Sequence, residues 1–67
     1  MEFLDSNVIA YAFYENHLKE RCQEKLAEGG LTNTFTLAEA FNIIENETGS
    51  KERAEISIKS ILKSNIK

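Results

Sequence analysis

Apolar positions fall along this chain in two kinds of pattern. Phe3-Leu4 is a short apolar run closed by Asp5-Ser6-Asn7, three short polar side chains that form turns and cap helices. Val8, Ile9, Tyr11 and Ala12 then supply apolar surface at helical spacing. The pattern predicts a strand, a polar turn and a short helix. Leu31-Thr32-Asn33-Thr34, entered through Gly29-Gly30, reads as a second short strand. A helix begins at Thr36, with Leu37, Ala40, Phe41 and Ile44 on one stripe. Between the two segments, Asn16 to Glu28 reads as a helix with Leu18, Cys22 and Lys25 near one stripe, stopped by Gly29 as its C′ residue. After Gly49 a last helix starts near Ser50, with Ala54, Ile58, Ile61 and Leu62 as its stripe. The predicted order is β-α-α-β-α-α. Two short strands make only a marginal sheet in water.

Asp5 and Glu39 are the candidate chemistry. Asp5 stands at the carboxyl end of the first predicted strand, where open α/β sheets bind ligands. The competing reading is that Asp5 or a neighbour only caps the helix. Glu39 follows Thr36 by three positions, the spacing of a capping box, and lies roughly opposite the apolar stripe. Ile43 shares its side of the helix. Cys22, on an apolar stripe without a matched base, reads as a small buried hydrophobe. His17 reads as a surface or capping residue. Asn46-Glu47-Thr48 matches a glycosylation acceptor, but no secretion signal accompanies it. Lys59, Lys63 and Lys67 complement the dipole of the last helix on a solvated face.

Phe3-Leu4-Asp5-Ser6-Asn7-Val8 and Thr36-Leu37-Ala38-Glu39-Ala40-Phe41-Asn42 together resemble the N-terminal half of a PIN domain, of the VapC-type toxin ribonucleases of prokaryotic toxin–antitoxin pairs. That family has Asp-Thr/Ser-Asn after its first strand and an acidic residue at the start of the helix after its second. Asp5 and Glu39 match those acids, and Ser6 matches the hydroxyl beside the first. The resemblance implies an α/β fold: a truncated PIN-like domain over residues 1–67, with short parallel β-strands and about four helices. It implies Mg2+ or Mn2+ on Asp5 and Glu39, with Ser6 a further ligand, and RNA as substrate. The family's remaining metal-site acids lie in its C-terminal half, beyond Lys67 of this chain. Glu45, Glu47, Glu52 and Glu55 match no family position. Two functions follow from the resemblance. One is a degenerate, oligomeric binding or regulatory module without efficient nuclease activity, able to engage an antitoxin or a toxin. The other is a metal-dependent endoribonuclease whose acidic site is completed across an oligomer or by a partner chain.

Composition narrows the class. Sixty-seven residues make one small domain, near the size at which a single core is marginal. Apolar content is 42%, which points to a folded protein. The net charge of −3 argues against a free-standing nucleic-acid binder. One cysteine excludes an internal disulfide framework. No apolar run is long enough to span a membrane and no signal peptide is visible, so a cytoplasmic protein is expected. The missing half of the resembling fold would leave the edge of Glu2 to Leu4 exposed. The expected assembly is therefore a homodimer or tetramer that uses this edge with Ile58, Ile61 and Leu62.

Overall fold

The computed structural model describes residues 3–64. Glu2 and Lys67, named above, lie outside them. The described residues form four helices: α1 (Ser6–Tyr11), α2 (Lys19–Glu28), α3 (Thr34–Thr48) and α4 (Lys51–Leu62). The longest, α3, packs on both α1 and α4, while α2 packs on α1.

The expected α/β fold with parallel strands is not what forms: the described residues are all-helical, with no strand. Phe3 and Leu31 meet in an isolated parallel bridge, and the Leu4 N–H donates to the Leu31 carbonyl at 2.8 Å. Capping stops the pairing there. Two residues beyond Phe3, the Asp5 carboxylate accepts from the Val8 N–H at 3.1 Å and opens α1. Two residues beyond Leu31, Asn33 Oδ1 accepts from the Thr36 N–H at 2.8 Å and opens α3. Each cap satisfies a helix donor that would otherwise lack a partner, and each turns the chain out of the extended state. Two extended segments this short cannot hold a ladder against that competition.

Helix limits move for similar reasons. α3 starts at Thr34 rather than Thr36, so Asn33 is its cap and Thr36 is a buried residue of its first turn. α2 starts at Lys19 rather than Asn16, because Asn16 is bound into the preceding loop. Its Nδ2 donates to the carbonyls of Tyr11 (2.9 Å) and Tyr14 (2.7 Å), and its Oδ1 accepts from the Leu18 N–H (2.8 Å). Gly29 and Gly49 end α2 and α3 with φ of 83° and 69°, where a side chain is disfavoured.

Leu4, Ile9, Ala10, Ala40, Ile44, Ala54 and Ile61 form the core. Three of them are fully buried alanines, one each on α1, α3 and α4. Small side chains let the helices approach closely, and Ile9 and Ile44 fill the remaining space. The stripe expected on α3 is present, with Ile43 also packed against the core. On α2 the stripe continues from Cys22 to Leu26, four residues on, and Lys25 is exposed. On α4 the buried stripe is Ala54, Ser57 and Ile61, and Leu62 is 67% exposed. Leu62 is one residue past Ile61, about 100° around the helix, and so turns away from the core. The Ser57 hydroxyl is satisfied by donating to the Arg53 carbonyl at 2.8 Å. Ile61 cannot serve an interface as expected, because it is buried in its own chain's core.

Candidate functional site

The bridge between Phe3 and Leu31 organises the candidate site. It aligns the two segments so that the caps Asp5 and Asn33 each follow the bridged residue by two positions. Asp5 is exposed and uses one carboxylate oxygen in its cap. Ser6, the first residue of α1, is half-buried.

Glu39 is exposed and lies six residues beyond Asn33, about 9 Å along α3 at the helical rise. It is too far into the helix for the capping box expected with Thr36. Asn33 receives the Thr36 N–H instead. The structure thus brings Asp5 and Ser6 to the bridge end of α1 and holds Glu39 more than a turn along α3. No hydrogen bond or ion pair joins Asp5 to Glu39 among the described residues.

A divalent ion of the magnesium kind takes six oxygen ligands in near-octahedral array, some of them water. Among the described residues no group of three or more His, Cys, Asp or Glu side chains is arranged to hold a metal ion. Asp5, with the Ser6 hydroxyl beside it in sequence, offers one part of such a set.

Apolar exposure marks the same end of the molecule. Phe3 is 51% and Leu31 41% exposed, and the bridge sets them side by side. Phe35, in the first turn of α3, is 74% exposed. Close by in sequence, the Thr32 hydroxyl is buried without a hydrogen-bond partner. Exposed apolar residues are ordinary singly and informative when adjacent. The second predicted strand supplied Leu31, but its pairing with Phe3 and the exposure of Phe35 are tertiary facts that periodicity does not reveal. Asn33, read in the sequence as part of the second strand, is instead the cap of α3; the signal that could have found it is that Asn is a strong cap and stands directly before Thr34, where the helix begins.

Other polar groups have structural work. Burial pushes the Cys22 thiol above its ordinary value; Arg21 and Lys25 oppose the shift and Asp5 adds to it. Cys22 is a buried free cysteine on the inner side of α2. Burial also raises Tyr14, and Glu47 and Tyr11 raise it further. Its ring meets Tyr11 edge to face, with centroids 5.8 Å apart. The exposed pair Glu15–Lys19, at 2.8 Å, lowers Glu15 by hydrogen bond and charge. His17, Glu15, Lys19, Glu20 and Gln23 border a polar cleft that Asn16 shapes. No helix among the described residues is long and apolar enough to cross a membrane.

Set against known proteins, the chain matches no family model, no curated protein and no solved structure.

Proposed function

We propose that this chain is an association module without efficient nuclease activity, which works by binding a second copy of itself. The observation that carries this reading is the adjacent exposed pair Phe3 and Leu31 at the parallel bridge. A small core adds a thermodynamic motive. A domain of this length buries a low fraction of its apolar surface alone, and association covers more. A two-fold dimer is the simplest closed arrangement that places each such pair against its copy. The sequence resemblance to VapC-type toxins extends the proposal to the kind of partner: an antitoxin or toxin of that system is the protein class to test after self-association. Light scattering at micromolar concentration tests the reading. A dimer or tetramer is expected, and Phe3→Asp with Leu31→Asp should return it to monomer while far-ultraviolet dichroism keeps its helical signal. A wild-type chain that stays monomeric contradicts it.

A second reading is a Mg2+- or Mn2+-dependent endoribonuclease assembled between chains. The exposed Asp5 carboxylate at the bridge end favours it. There, Asp5 with Ser6 would hold part of an ion's shell, and Glu39 of this chain or acids of another would supply the rest. The bound ion would polarise a phosphoryl oxygen and ease deprotonation of its water. RNA cleavage that needs the ion and disappears in Asp5→Asn and Glu39→Gln supports this reading. Cleavage that survives a chelator and Asp5→Asn opposes it.

A further inference from the structure

We draw no further inference here: the strongest candidate, the apolar groove between α2 and the end of α4 lined by Phe13, Leu26, Ala27 and Ile61, carries none because nothing in the structure shows what covers it.

Discussion

Asp5 caps a helix, and a single substitution separates that role from the metal-binding role proposed for it. Its carboxylate caps α1 through the Val8 N–H. Asn caps about as well as Asp, whereas Ala in that place costs about 1 kcal/mol. Asp5→Ala should therefore lower the urea midpoint, and Asp5→Asn should leave it nearly unchanged. RNA cleavage lost in Asp5→Asn without a stability change would assign the charge to chemistry. Equal losses of stability in both variants would contradict the capping geometry. Tyr14 supplies a pH test. Its folded-state pKa is raised, so the folded chain holds the phenolic proton more tightly than the unfolded one. That stability is complete below the ordinary tyrosine value of about 10 and is lost as pH rises through the folded value. Cys22 is raised for the same first reason, burial, and its loss begins lower, above the ordinary thiol range. Denaturation followed from pH 8 to 11 should show falling stability, with a shallower fall above pH 10 in Tyr14→Phe. An identical slope in that variant would reject the assignment.

Helix ends are the clearest case of structure legible in residues. Gly49 has φ 69° and closes α3 with its N–H on the Glu45 carbonyl at 2.8 Å. A Cβ there would meet nothing within 4 Å, so Gly49→Ala should cost only the left-handed backbone penalty, about 1–2 kcal/mol. Thermal melting that shows no change would mean the turn relaxes. The four helical stretches and both glycine stops could be read from spacing and turn chemistry. The two strands could not be judged that way. Phe3-Leu4 and Leu31-Thr32 have strand composition, but a strand exists only if a neighbour pairs along it, and caps two residues beyond the bridge end the pairing. Stripe errors have a simpler origin. Ile61 and Leu62 are sequence neighbours about 100° apart, and only packing decides which turns inward; for the neighbours Lys25 and Leu26, hydrophobicity alone already favours the leucine. Asp5 and Glu39 are joined by no hydrogen bond or ion pair among the described residues. The distance of Glu39 from the cap followed from where α3 starts, which Asn33 sets.

The whole molecule depends on one small core. Ile44 is fully buried on the helix that touches both α1 and α4. Ile44→Ala should cost about 2–5 kcal/mol, comparable with the whole stability of a domain this small, roughly 3–5 kcal/mol. Loss of cooperative urea unfolding in that variant is the expected outcome, and a near-native transition would contradict the packing described. The proposed association would add support to this core in solution. A dimer makes the unfolding midpoint depend on protein concentration, because dilution favours the separated chains. The exposed Phe3–Leu31 pair is where that dependence should originate. Light scattering of the wild-type chain and of the Phe3→Asp, Leu31→Asp double variant, both at micromolar concentration, tests this most directly. The expected result is a dimer or larger assembly that becomes a helical monomer in the variant. A wild-type monomer, or an assembly unchanged by the two substitutions, contradicts it.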